Sequence, residues 1–171
     1  MRYKVYTKTE KAWDAMIYAI SHAKNSILFE MYIFVDDTSD SHDFIEILSQ
    51  KAASGVKVKI IFDAFGSKVS NDSVKKLRDV GVELFFFRTL FRVTHRKILI
   101  VDERIAFIGG INIKKFFKKW DDLSIRMEGR VVERILNSFA YIYKSCGGTD
   151  DFVLKYKKIL SIQKGKIWFF E

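Results

Sequence analysis

The sequence has no proline, a single cysteine, only three histidines, and no apolar run near the roughly 18–20 residues a membrane span needs. Without proline, no stiff linker marks a domain boundary. One cysteine, Cys146, rules out an intrachain disulfide and a cysteine-rich zinc site, and before Gly147-Gly148 it reads as a small residue at a helix end. The start, Met1-Arg2-Tyr3-Lys4, lacks the apolar stretch of a secretory signal, so a cytoplasmic location is expected. What is present points to a folded domain. Apolar residues make up 49% of 171 positions, enough to bury a core and too many for disorder. Thirty Lys and Arg against 21 Asp and Glu give a net charge of +9. That excess predicts attraction to polyanions without choosing between nucleic acid and an anionic membrane.

Periodicity divides the chain into alternating strands and helices. A short strand is expected over 3–6, and Thr7-Lys8-Thr9-Glu10 has capping-box spacing for a helix carrying Trp13, Met16, Ile17 and Ile20 inward. Ile27 to Phe34 is a strongly apolar strand interrupted by Glu30, whose carboxylate is read either as reaching a site or as capped at the strand's edge. A helix with Phe44, Ile47, Leu48 and Ala52 inward ends at Gly55, and Val56 to Phe62 follows as a strand with Lys57 and Lys59 toward solvent. A helix near 71–80 stops at Gly81, ahead of a strand from Val82 to Phe87. Later come a strand from Leu123 to Met127 and a helix near 130–145 burying Val131, Ile135, Leu136 and Phe139. Such alternation predicts an α/β fold, a mixed sheet with helices on both faces. One domain is expected over 1–146, with 147–171 as a C-terminal tail; its end, Lys164 to Glu171, reads like the opening of a further strand, the start of a missing second half.

The chemistry concentrates in Thr94-His95-Arg96-Lys97-Ile98-Leu99-Ile100-Val101-Asp102 and Ile105-Ala106-Phe107-Ile108-Gly109-Gly110-Ile111-Asn112. Ile98 to Val101 reads as a strand. His95 and Lys97, two apart, then share one face. An imidazole beside an ammonium suits an anion, not a core. Asp102 has the opposite parity and falls where the strand turns back, so its parity assigns it to the turn. Gly109-Gly110 lets backbone come close to a ligand, and Asn112 brings an amide to the same end.

The pattern His-x-Lys-x4-Asp-x6-Gly-Gly-x-Asn resembles the HKD motif of the phospholipase D superfamily at all six signature positions. Further likeness lies in Phe29 to Phe34, Ala52 to Val58, Trp120-Asp121-Asp122-Leu123 and Arg126-Met127-Glu128-Gly129, which are similar to segments of cardiolipin synthases. The resemblance implies a phospholipase D-like α/β/α sandwich and phosphoryl transfer through a phosphohistidine. It makes His95 the nucleophile or the acid and counts Lys97, Asp102, Asn112 and Asp122 with it in the catalytic set. Lys97, Gly110 and Asn112 would hold phosphate oxygens, and Asp122 would orient His95. No metal and no cofactor are called for. His22 and His42, with no following Lys, read as surface residues.

Cardiolipin synthases carry two such motifs, and this sequence has one. A second histidine must come from a homodimer partner or a second-half protein, or the chain is an inactive lipid- or anion-binding remnant. The leading expectation is a phosphatidyltransferase or phospholipase D-type phosphodiesterase acting on anionic phospholipid at a membrane surface. The alternative is a homodimeric nuclease, with nucleic acid as partner. Two aromatic-cationic segments, Leu84 to Arg92 and Lys114 to Trp120, suit lipid headgroups or single-stranded nucleic acid. Lys114, Lys115, Lys118 and Lys119 are expected to supply a salt-sensitive attraction to anionic lipid, making the protein peripherally membrane-associated.

Overall fold

Runs rich in β-branched and aromatic residues form seven strands: β1 (Arg2–Lys8), β2 (Ser26–Met31), β3 (Lys57–Asp63), β4 (Glu83–Phe87), β5 (Lys97–Val101), β6 (Ile105–Gly109) and β7 (Asp121–Glu128). A computed structural model of the chain describes residues 2–88 and 93–157. Residues 89–92 of the first aromatic segment, and the tail stretch 164–171, lie outside the described residues. The helices are α1 (Thr9–Ser21), α2 (Phe44–Ala53), α3 (Asn71–Asp79), α4 (Val131–Ser145) and the single turn α5 (Asp151–Leu154).

All seven strands join one sheet in the order β1-β7-β6-β5-β2-β3-β4. β2, β3 and β4 run parallel, while β5, β6, β7 and β1 add antiparallel neighbours. Strands covered on both faces are largely apolar, and β2 and β5 are buried at every position, the charged Glu30 and Lys97 included. One core lies between the sheet and α1, α2 and α3, around Trp13, Phe29, Phe34, Phe44 and Phe62. The other lies under α4 and α5, around Ile98, Ile100, Leu136, Phe139 and Tyr143. The architecture is the expected α/β/α sandwich with a mixed sheet.

Three local expectations are corrected. Thr7 caps no helix, because β1 runs through it and Lys8 pairs with Asp121. Lys59 is not on the solvent side: its ammonium sits 2.7 Å from both Glu83 and Asp150. His42 is buried, not on the surface, with Nε2 2.9 Å from Asp14 Oδ1 and its ring edge against Trp13. The packed chain also runs on past residue 146. Asn137 donates to the carbonyl of Tyr156, the Asp150 amide donates to the Tyr143 hydroxyl, and Val153 is buried.

Candidate active site

The carboxyl ends of β2 and β3, the start of β5, the end of β6 and the start of β7 meet at one edge of the sheet, where open α/β sheets place ligands. His95 is exposed just ahead of β5. Lys97, the first residue of β5, is only 7% exposed. Its Nζ donates to the carbonyl of His95 at 2.9 Å and lies 3.2 Å from both ring nitrogens of that histidine. The Tyr32 ring packs against both, its centroid 4.5 Å from that of His95 and 5.0 Å from the ammonium. Lys97 makes no salt bridge among the described residues. Burial pulls its pKa down, and the negative charge of Asp122 only partly offsets this. A half-dry ammonium beside an open imidazole, with no carboxylate in contact, is an arrangement suited to an anion.

Asn112 is brought to this edge by the chain that leaves β6 and runs beside Phe34. Its Oδ1 accepts from the Ile33 amide at 3.1 Å, and its carbonyl accepts from Trp13 Nε1 at 3.1 Å. The side-chain NH2 makes one long bond, 3.3 Å, to the Gly110 carbonyl, so a hydrogen remains for a ligand. Gly110 itself has no N–H to offer phosphate, since it donates to the Leu123 carbonyl at 2.8 Å. A Cβ at Gly110 would overlap the Asp122 carboxylate, and one at Gly109 would overlap the Leu123 backbone. The close approach these glycines permit is therefore to β7 and Asp122. Asp122 Oδ1 accepts from the Leu123 amide at 2.6 Å and acts on Lys97 through space; it makes no hydrogen bond to His95.

Asp102 stands apart from this cluster, at the far end of β5. With φ of 51° it opens the turn to β6, and its carboxylate accepts from the amides of Lys24, Asn25 and Ser26 at 2.7–3.1 Å. This is the turn position its parity assigns, and its place in the catalytic set is corrected to a structural one, since its carboxylate is occupied by these amides at the end of β5 away from His95. His22 is exposed at the end of α1, bonded to Tyr18 and Ser21. The Cys146 thiol has its pKa pushed up to about 11 by burial, which keeps it unreactive.

Sequence reasoning left out the residues that hold His95 in place. Glu30 is fully buried in β2, and its carboxylate accepts from the Thr94 hydroxyl and from Arg96 Nε and Nη2 at 2.8 and 2.5 Å. Arg96 continues to Ser138 of α4. Asp63, also fully buried, accepts from the Thr94 amide at 2.7 Å and from the amides of Phe65 and Gly66 at 2.9 Å. Both neighbours of His95 are thus pinned on the α4 side of the sheet, which leaves the imidazole facing the other way. The available signal was a carboxylate inside an otherwise apolar strand.

Residues 16–142 match the family model described as cardiolipin synthase, PLD-like domain. Cardiolipin synthase 2 of Bacillus anthracis is 32% identical over 149 residues, which are 77% of this chain and 29% of that protein. The cardiolipin synthase of Clostridium perfringens is 30% identical over 162 residues, 82% of this chain and 34% of that one. The chain therefore spans about a third of the length of the curated relatives it matches. NucT from Helicobacter pylori shares the fold with a TM-score of 0.71 at 18% identity, covering 86% of this chain and 99% of that one. A phospholipase D family member, Nuc from Salmonella typhimurium, does so with a TM-score of 0.69 at 22% identity, covering 84% and 95%. The chain belongs to the phospholipase D-like domain family of the cardiolipin synthases.

Proposed function

We propose that the protein is a phosphodiesterase or phosphatidyltransferase that cleaves a phospholipid by covalent catalysis on His95. The observation that carries this reading is Lys97: a buried ammonium with no ion-pair partner among the described residues, held against an exposed imidazole. A ring nitrogen of His95 attacks phosphorus, forming a P–N bond as the P–O bond to the leaving alcohol breaks. Lys97 and the free hydrogen of the Asn112 amide hold the non-bridging oxygens, where charge builds up in the transition state. The departing oxygen needs a proton, and the acceptor hydroxyl must later lose one before it attacks phosphorus and releases His95. Both transfers call for a second imidazole.

Neither His22, bonded at the end of α1, nor His42, buried against Asp14, stands in this cluster. On this reading the second imidazole comes from outside the present sequence, from a homodimer partner or a second half. Exposed Phe65, Val93 and Leu123, neighbours in sequence of residues at the site, offer apolar surface for that contact. The likeness to cardiolipin synthases supports phospholipid as the substrate and a peripheral seat at the membrane. Among the described residues no helix is long and apolar enough to cross one.

The test is a rapid-quench reaction with phosphatidylglycerol labelled in its phosphatidyl group. An acid-labile label should appear on the peptide holding His95, be absent in His95→Ala, and survive a chelator. Label on another residue would overturn the mechanism. Cleavage of oligonucleotides without lipid turnover would replace the substrate class, and no turnover of either would leave an anion-binding remnant.

A further inference from the structure

Between Asn112 and Asp122 the chain makes a loop with a 3₁₀ turn at Lys115–Phe117. Phe116 is 66% exposed and Trp120 50%, with Phe117 half-buried between them. The three rings pack edge to face, with centroids 5.6, 5.5 and 4.7 Å apart. Lys114 Nζ lies 5.7 and 5.9 Å from the centroids of Phe116 and Phe117. The base of the loop is fastened down. Lys115 pairs with Asp40 at 2.5 Å while its amide donates to Asp37, and Lys118 reaches Glu10 at 3.2 Å and the Ser41 hydroxyl at 3.0 Å. The Trp120 carbonyl accepts from the Thr9 amide at 3.0 Å.

We infer that Phe116, Phe117 and Trp120 form a wedge that seats this domain on a lipid surface, entering the headgroup layer beside His95. The inference rests on the phospholipid reading of the site and adds how the site meets its substrate. Three features favour lipid. Both ends of the loop, Asn112 and Asp122, are residues of the site cluster, so the loop that carries the rings is tied to the same edge of the sheet as Lys97 and His95. Lys115 and Lys118 are already neutralised by Asp40 and Glu10, and Asp37 stands with them, which makes the collar unwelcoming to the continuous phosphates of nucleic acid. The rings also pack edge to face into one apolar cluster instead of standing as a row of parallel faces, which suits insertion better than the stacking of successive bases. An apolar wedge ringed by satisfied ion pairs, with Lys114 and exposed Lys119 left for headgroups, is the composition of an interfacial anchor. The seat therefore depends on ring insertion more than on charge.

The experiment uses the full chain and the double variant Phe116→Ser/Trp120→Ser. Co-sedimentation is measured with vesicles of phosphatidylcholine alone and of phosphatidylcholine with phosphatidylglycerol, over a range of salt, together with quenching of tryptophan fluorescence by lipids brominated in the acyl chain. Wild type should bind, keep a fraction bound at high salt, and be quenched. The double variant, which lacks the Trp120 reporter and is therefore read by co-sedimentation, should bind roughly tenfold more weakly or worse, a difference of about 1.4 kcal/mol per decade. Turnover of a dispersed short-chain phosphatidylglycerol should be unchanged in the variant. His95→Ala should bind vesicles as wild type does, so failure of the catalytic reading leaves this test intact. Vesicle binding unaltered by the double substitution would overturn the inference. So would a variant that changes oligomeric state in sedimentation, which would make the rings a contact between copies, or one that loses tight oligonucleotide binding shown by wild type.

Discussion

The Lys97 ammonium is buried without an ion pair among the described residues, and that burial works against folding. Burial lowers its pKa, so the folded chain binds that proton less well than the unfolded chain does. The sign follows from linkage: at neutral pH both states are protonated and folding bears the penalty, which lifts as pH rises from the lowered pKa toward the usual lysine range. Lys97→Met should accordingly melt higher than wild type at pH 7 while losing the stabilisation that added phosphate gives the wild type. A lower melting temperature for Lys97→Met would contradict this reading. Glu30 behaves in the opposite way. Glu30→Gln leaves Arg96 without its counter-charge and should cost roughly 3 kcal/mol in urea unfolding. Adding Arg96→Met should restore much of that stability but not turnover, because Thr94 and Arg96 would no longer hold the backbone on either side of His95. Recovery of activity along with stability would show the clamp to be dispensable for positioning. The motif residues were legible because they lie close together in sequence. The Glu30–Arg96 pair spans 66 positions, and only the oddity of a carboxylate within an apolar strand pointed to it.

At the scale of elements, the β5–β6 hairpin joins the site to the rest of the sheet. Asp102 and Glu103 both have positive φ, 51° and 54°, and Arg104 donates back to the Val101 carbonyl, as a tight twisted hairpin requires. Burial works to raise the pKa of Asp102, but bonds from the amides of Ser26, Asn25 and Lys24 outweigh it and hold the carboxyl below the usual range. A depressed folded pKa contributes stability above the ordinary carboxylate range and loses it as pH falls through the lowered value. Asp102→Asn should therefore cost about 1–3 kcal/mol at pH 7, and the gap from wild type should close in acid. Turnover per folded molecule should change little; a large fall in kcat for well-folded Asp102→Asn would return this residue to the chemistry. The elements themselves were readable wherever local rules and tertiary demands agreed. Gly55 and Gly81, expected as helix stops, have φ of 91° and 87° just past α2 and α3. They were misread where the demands diverged: Thr7 suits a cap, but pairing of β1 with β7 claims it, and Lys59 alternates outward on β3 only to meet the acids of β4 and the chain after α4.

At the scale of the whole molecule, the sandwich was legible because the covered strands are mostly apolar and the long helices each bury one face. The buried polar contacts between its layers were not, since no periodicity records which acid meets which base. The same sheet that delivers His95 to an open edge delivers no second imidazole, since His22 and His42 are engaged elsewhere. In a shared two-fold site, two copies of His95 flank one phosphate, and two copies of Lys97 approach across the axis. Like charges repel across an empty axis, so inorganic phosphate or tungstate should tighten association by binding the assembled state alone. Sedimentation velocity should show a dimer fraction that rises with either anion in wild type and not in Lys97→Met. Each dimer then holds a single site, so one defective chain disables it. Mixed with an equal amount of His95→Ala and allowed to exchange, wild-type chains should form only about a quarter of the dimers as intact pairs. Activity per wild-type chain should fall by about half, and further with excess mutant. His95→Ala mixed with Lys97→Ala should recover little, because no mixed site carries both full pairs. Activity that stays proportional to the wild-type chain at every mixing ratio, in a protein that remains monomeric, would overturn the two-chain site and require a proton donor from elsewhere in the chain.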